Sequence, residues 1–132
     1  MKYLLDTNVC IMFLSRRNPQ LSTRFASIPA YDKTVCSIVR TELYFGAYKS
    51  KYQTQSLATI NGFLAHLPSL PFDDKAAQIC GEIRADLARK GTPIGPYDVQ
   101  IAAIALANHL TLVTHNTREF SRVPNLLLDD WE

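Results

Sequence analysis

Short apolar runs alternate with helix-period stripes along this chain, and the alternation sets the first expectation. Tyr3-Leu4-Leu5 reads as a strand that stops at the polar Asp6-Thr7-Asn8. Thr34-Val35-Cys36-Ser37 reads as a second, ending on a serine able to cap the helix that follows. A third, within Leu67 to Phe72, is weakened by Pro68 and Pro71, which remove ladder donors. Leu110-Thr111-Leu112-Val113-Thr114, rich in β-branched residues, makes a fourth, and Leu126-Leu127-Leu128 a fifth. Helical patterns fall between them: Glu42 to about Tyr52, Gln55 to His66, Asp73 to Lys90 and Asp98 to Asn108. In the third helix Ala76, Ile79, Cys80, Ile83 and Leu87 form a 3.6-period stripe, which Gly91 ends. The fourth is apolar almost all round, from Val99 through Leu106, the pattern of a helix buried on several sides.

Strands alternating with helices imply crossover connections. The expected class is therefore α/β: one domain over residues 1–132, with a mostly parallel central sheet of about five strands flanked by helices. Ligands of such sheets bind outside the carboxyl ends of the strands, near the point where the strand order reverses. No internal repeat, low-complexity tract or long linker interrupts the pattern.

Composition narrows the class without naming a partner. A chain of 132 residues suits one domain, and 47% hydrophobic with 20% charged residues is an ordinary globular balance. Lys and Arg number 14 against 12 Asp and Glu, a net charge of only +2, so the strongly basic signature of a dedicated nucleic-acid binder is missing. Any attraction for phosphate must come from local clusters or bound cations. Cys10, Cys36 and Cys80 form no CxxC pair and sit among apolar neighbours, as reduced, buried thiols of the cytosol do. An acid at position 6, where a signal peptide keeps its apolar core, and apolar runs short of the roughly 20 residues that span a bilayer point to a cytoplasmic protein with no membrane partner.

In this architecture the polar residues just past each strand are the informative ones. Asp6 ends the first strand, Glu42 lies five residues beyond Ser37, and Asp98 opens the most apolar helix. Asn116 and Glu119 follow the fourth strand. Each has a plain structural explanation. Asp98 suits the positive end of a helix dipole, worth about 0.3–1 kcal/mol. Asp6-Thr7-Asn8 suits a turn or a cap; Glu42 suits solvent, and Glu119 suits pairing with Arg118 or Arg122. Taken together they suggest more, because a parallel sheet gathers them all at one end. Clustered carboxylates raise one another's proton affinity unless positive charge sits between them. Mg²⁺ and Mn²⁺ prefer carboxylate and water oxygens and can bridge a phosphate for hydrolysis.

The same residues carry a resemblance to a known family. Leu5-Asp6-Thr7-Asn8, Ser37-x-x-x-Thr41-Glu42-Leu43-x-x-Gly46, Gly91-x-Pro93-Ile94-Gly95-x-x-Asp98-x-x-Ile101-Ala102-Ala103 and Leu112-Val113-Thr114-x-Asn116-x-x-Glu119-Phe120 follow one another in the order found in PIN-domain ribonucleases. With the tail from Arg122 to Trp131, the chain resembles in particular the VapC-type toxins of bacterial toxin–antitoxin pairs. The resemblance implies a PIN-like fold and Mg²⁺- or Mn²⁺-dependent endoribonuclease activity, with tRNA as the substrate class. It makes Asp6, Glu42, Asp98 and Glu119 the catalytic acids, with Asp6 and Asp98 holding the metal. Thr7, Asn8, Ser37, Thr114 and Asn116 become the residues that orient carboxylates or substrate. It also implies a small inhibitory antitoxin and a homodimer. One departure stands out: many PIN domains carry Asp where this chain has the neutral Asn116, and Glu119 is the nearest replacement for that charge.

Other chemistries find less support. His66, His109 and His115 lack the HxxxH spacing of a zinc site. A strand–turn serine nucleophile and a glycine-rich phosphate loop are both missing. For RNA contacts the candidates are Arg16, Arg17, Arg40 and Arg118, with Lys33, Lys49, Lys51 and Arg122 behind them and Tyr48, Tyr52 and Tyr97 for base stacking. Cys10 to Leu14 and Leu43 to Tyr48 carry more large apolar groups than one helix face needs, so an exposed groove for a partner segment is expected there. Two alternatives stay open: a catalytically silent PIN-like binding module, and a nuclease acting on DNA or another phosphate ester.

Overall fold

Leu4 and Leu5 have no exposed surface, because the strand they form, β1 (Tyr3–Leu5), is the middle of a five-stranded sheet. The computed structural model describes all 132 residues. Outward from β1 on one side stand β2 (Lys33–Cys36) and β3 (Ser69–Leu70), and on the other β4 (Thr111–Val113) and β5 (Leu128–Asp129), in the order β3-β2-β1-β4-β5. Every neighbouring pair is parallel; Tyr3 is level with Lys33 on one side and Thr111 on the other. Central strands buried on both faces need continuous apolar runs, which these segments supply.

The chain lays down β1, β2 and β3 in one direction, then returns past β1 to place β4 and β5 on its far side. The order therefore reverses between β1 and β4, and the carboxyl ends of those two strands, Asp6 and Thr114, flank the crevice where a ligand is expected.

The connections are helical. α1 (Thr7–Ser15) and α2 (Pro19–Ser27) follow β1, and α3 (Ser37–Lys49) and α4 (Gln53–Leu64) lie between β2 and β3. α5 (Asp74–Arg89) and α6 (Pro96–Ala107) come before β4, and the short α7 (Thr117–Phe120) before β5. Asp73 caps α5 by accepting from the Ala76 amide at 2.9 Å. Gly91, at φ +69°, ends that helix while the Thr92 amide reaches back to the Leu87 carbonyl. α6 runs through the core, with Ile101 to Ala105 fully buried, as its uniform apolarity requires. Cys10, Cys36 and Cys80 are buried free thiols, and burial pushes all three upward in pKa. No helix is long and apolar enough to cross a membrane.

Two boundaries and one segment differ from expectation for physical reasons. The helix expected from Glu42 begins at Ser37, directly after β2 without a linker. Ser37 is therefore the first helical residue and not a cap; that position falls to Cys36, which makes no capping bond. The fifth strand is Leu128–Asp129, not Leu126 to Leu128: Asn125 turns at φ +67°, and pairing with β4 starts only at Leu128. Between β1 and β2 stand two helices that were not expected, α1, apolar without a clear period, and the short amphipathic α2. Asp6 starts the first by accepting from its own helix's Thr7 amide, Arg16 stops it at φ +59°, and Asn18 caps the second.

Candidate active site

The four candidate acids arrive on four elements whose starts all face the carboxyl edge of the sheet. Asp6 closes β1 and begins α1, Glu42 lies in the second turn of α3, and Asp98 is the third residue of α6. Glu119 lies in α7, just past β4.

Hydrogen bonds through Thr7, Thr114 and Asn116 string Asp6, Glu42 and Glu119 together. Asp6, only 4% exposed, accepts from the Thr7 amide at 2.8 Å through Oδ1 and from the Thr114 hydroxyl at 2.9 Å through Oδ2. The Thr7 hydroxyl donates to Glu42 Oε1 at 2.8 Å. On the other side the Thr114 hydroxyl accepts from the Asn116 amide at 3.0 Å, and the Asn116 side chain donates to Glu119 Oε2 at 2.9 Å. Glu119 Oε1 in turn takes the amide of Gly95, the residue that opens α6 toward Asp98, at 3.3 Å. Thr7 and Thr114 are buried and leave no side-chain polar atom without a partner.

What the site lacks is cationic side chains. The salt bridges of the chain join Arg24 to Asp129, Lys90 to Asp86 and His115 to Asp130, and none touches these four acids. Burial raises the pKa of Asp6; its bonds from Thr114 and Thr7 oppose the rise, and Glu42 and Glu119 add to it. Asp98 is pushed up to about 6 by burial, then by the charges of Asp6, Glu119 and Glu42. An oxygen-only set of carboxylates in which Asp6 and Asp98 are pushed up by burial and by their acidic neighbours suits a hard divalent cation.

This has a consequence for stability. With its folded-state pKa above that of an unfolded aspartate, Asp98 favours the fold when protonated. Its contribution is fully present below roughly pH 4 and is lost as pH rises through about 6. In chelator, Asp98→Asn should melt above the wild type at pH 8, and the difference should shrink as pH falls to 5. Thermal melts across that range check it, and a pH-independent difference contradicts it.

The remaining candidate residues are distributed unevenly. Asn8 is exposed and makes no hydrogen bond to the acids. Ser37 donates to the Leu70 carbonyl at 3.4 Å, tying the start of α3 to β3 and leaving the carboxylates to the two threonines. Glu119 pairs with neither Arg118 nor Arg122; its partners are Gly95 and Asn116. Arg40 and Arg118 sit on the helices that bring Glu42 and Glu119. Arg16 covers the Phe13 ring at 4.6 Å, and that ring stacks on Phe25, whose carbonyl holds the Lys33 amine. Lys33 begins β2, so Arg16, its neighbour Arg17 and Lys33 belong to the opposite, amino edge of the sheet, away from the acids. Sequence spacing gave no hint of this, because α1 carries its last turn back along the sheet.

Beside the acids runs a groove of about 520 Å³ between α1, α3 and α4. Ile11, Leu14, Leu43, Ala47 and Ile60 give it apolar walls, Gly46 leaves it open, and Glu42 lines it as well. The expected segments contribute differently. Cys10 is core, and Phe13 packs among Phe25 and Phe63 instead of lining the groove.

The chain and its fold both have known relatives. Residues 3–126 match the model of the PIN domain. The chain is 42% identical over 131 residues to the tRNA(fMet)-specific endonuclease VapC of Salmonella typhimurium, covering 99% of this chain and 98% of that one. It is 40% identical, over the same shares, to the protein of that name from Shigella flexneri. Its fold superposes with a TM-score of 0.95 on a chain of DNA-bound VapBC from Salmonella typhimurium, at 42% identity and covering 100% and 99% of the two chains.

Proposed function

The chain belongs to the PIN-domain family, in its VapC branch, and from that premise we propose that it is a divalent-cation-dependent endoribonuclease acting as the toxin of a toxin–antitoxin pair. The observation that carries the proposal is the set of four carboxylates, free of cationic side chains, at the reversal point of a parallel sheet.

Asp6 and Asp98 would hold Mg²⁺ or Mn²⁺, with Glu42 and Glu119 completing the shell directly or through water. When bound, such a cation supplies charge against the phosphodiester oxygens and favours attack by water. The chain's own residues prepare the pocket. Thr114 and Thr7 fix the orientation of the Asp6 carboxylate, and Thr7 holds Glu42 through Oε1, leaving Oε2 free. Arg40 and Arg118, on the helices that carry Glu42 and Glu119, would meet phosphates, and Tyr97, 54% exposed next to Asp98 in sequence, would offer a face for a base. The Salmonella typhimurium relative is named for tRNA(fMet), and that name supports initiator tRNA as the substrate here.

The VapBC assembly of the same relative supports a protein partner for this chain. An antitoxin segment laid in the groove would cover its apolar walls and bring a basic side chain to Glu42. A homodimer belongs to the same reading, and sedimentation of the purified chain tests it. The alternative of a silent binding module gives no reason to retain four unpaired acids.

The roles of the two residues after β4 can be separated. Glu119→Gln should lower metal-dependent cleavage more than Asn116→Ala, because Asn116 contributes only a bond to Glu119 while Glu119 contributes charge. Cleavage rates at several Mg²⁺ concentrations check it; greater damage from Asn116→Ala would reverse the assignment. The proposal as a whole is tested by incubating total RNA with the protein and Mg²⁺, Mn²⁺ or chelator and sequencing the new ends. Cation-dependent ends confined to one or a few tRNAs are expected, and an unchanged RNA pool would overturn it.

A further inference from the structure

The pairing of β4 with β5 assembles a second group of ligand-type side chains, outside the acidic pocket. Val113 is level with Asp129, and the Thr114 amide bonds the Asp129 carbonyl, which brings the next residues, His115 and Asp130, side by side. Thr114 turns its hydroxyl inward to Asp6, while His115 Nδ1 meets Asp130 Oδ2 at 3.0 Å at the surface. The segment bearing Asp130 is anchored. Trp131 is 2% exposed, packs edge-on against Tyr3 at 5.1 Å and donates to Asp129 Oδ2. The Glu132 amide fixes Asp130 Oδ1 at 3.0 Å, so Asp130 and Glu132 flank a buried anchor. One ligand atom from each of His115, Asp130 and Glu132 lies within 4.8 Å of the others. Neither carboxylate has a Lys or Arg partner.

We infer that His115, Asp130 and Glu132 form a divalent-cation site separate from the acidic pocket, one for a borderline ion such as Zn²⁺. Donor chemistry separates the two. An imidazole with two carboxylates suits Zn²⁺ and its neighbours, whereas an all-oxygen pocket suits Mg²⁺ or Mn²⁺. Sequence spacing could not reveal it, because the one histidine and the two acids come from the ends of different strands. A cation here ties the segment after β5 to the chain just past β4, which leads through Asn116 into α7 and Glu119, and so stabilises the edge of the sheet beside the acids. The inference does not depend on the nuclease reading.

The test is Zn²⁺ titration of the untagged chain carrying Asp6→Asn and Asp98→Asn, by calorimetry with thermal melts alongside. One Zn²⁺ site should survive in that background, raise the melting temperature and resist competition by millimolar Mg²⁺. Adding His115→Ala or Glu132→Gln should each weaken it by at least about tenfold, the least that loss of a ligand is expected to cost. Absence of Zn²⁺ binding in the background overturns the inference. So does binding that neither substitution changes, or that only His115→Ala reduces, since a lone imidazole would then be the whole site. Loss of RNA cleavage leaves these isotherms untouched, so the two readings fail separately.

Discussion

Asp6→Asn, Glu42→Gln and Asp98→Asn should each lower RNA cleavage by at least about 100-fold while leaving the protein folded, and without metal more stable. Each removes a negative charge from a cluster that holds no cationic side chain. Asn or Gln keeps the shape but offers only a neutral carbonyl to a cation. The relief of repulsion should be greatest at Asp98, whose pKa of about 6 reflects burial and the charges of Asp6, Glu119 and Glu42. At Asp6 part of the gain is offset, because the Thr7 amide and Thr114 hydroxyl favour its charged form. Single-turnover cleavage assays and melts in chelator check both halves. Wild-type cleavage in all three variants would remove the acids from the mechanism, and lower stability in chelator would show that they are held by something other than mutual repulsion.

The second large effect concerns the groove. Ile11→Asp and Thr59→Glu should weaken inhibition by the partner chain by at least about 100-fold, while cleavage by the free protein stays within about twofold. Both side chains line the groove and are exposed, so a charge there is solvated in the free protein and costs little stability. In a complex the same charge would be buried without a partner, a penalty of several kcal/mol. Rescue of growth by the co-expressed partner, together with its affinity for each variant, measures the effect. Equal loss of cleavage and inhibition would mean that these residues serve the fold or the RNA.

The parts of this molecule legible in the sequence are those fixed by local chemistry. Leu4 and Leu5, with Thr111 to Val113, could only be central strands, and the all-apolar face of α6 could only be buried. The position of Asp6 and Asp98 just past a strand and at a helix start followed from the same pattern. The helix containing Glu42 was legible, but not its start, because β2 passes into α3 with no punctuating residue between Cys36 and Ser37. α1 was hidden because Val9 to Leu14 is apolar without a period, its side chains shared between the core, the groove and the aromatic cluster around Phe25. Residues that depend on how helices return across the sheet were least legible. Arg16 is an example, a candidate for RNA contact that α1 carries back along the sheet to cover the Phe13 ring.

In the proposed function, four carboxylates from four elements form one cation-dependent site for RNA cleavage. Its most direct test is cleavage of purified initiator tRNA by the free protein in Mg²⁺, in Mn²⁺ and in excess chelator, with the Asp98→Asn variant alongside. A defined cut is expected in either cation, none in chelator, full recovery when cation is restored, and none from the variant under any condition. Cleavage that persists in chelator, or that Asp98→Asn leaves unchanged, would contradict it.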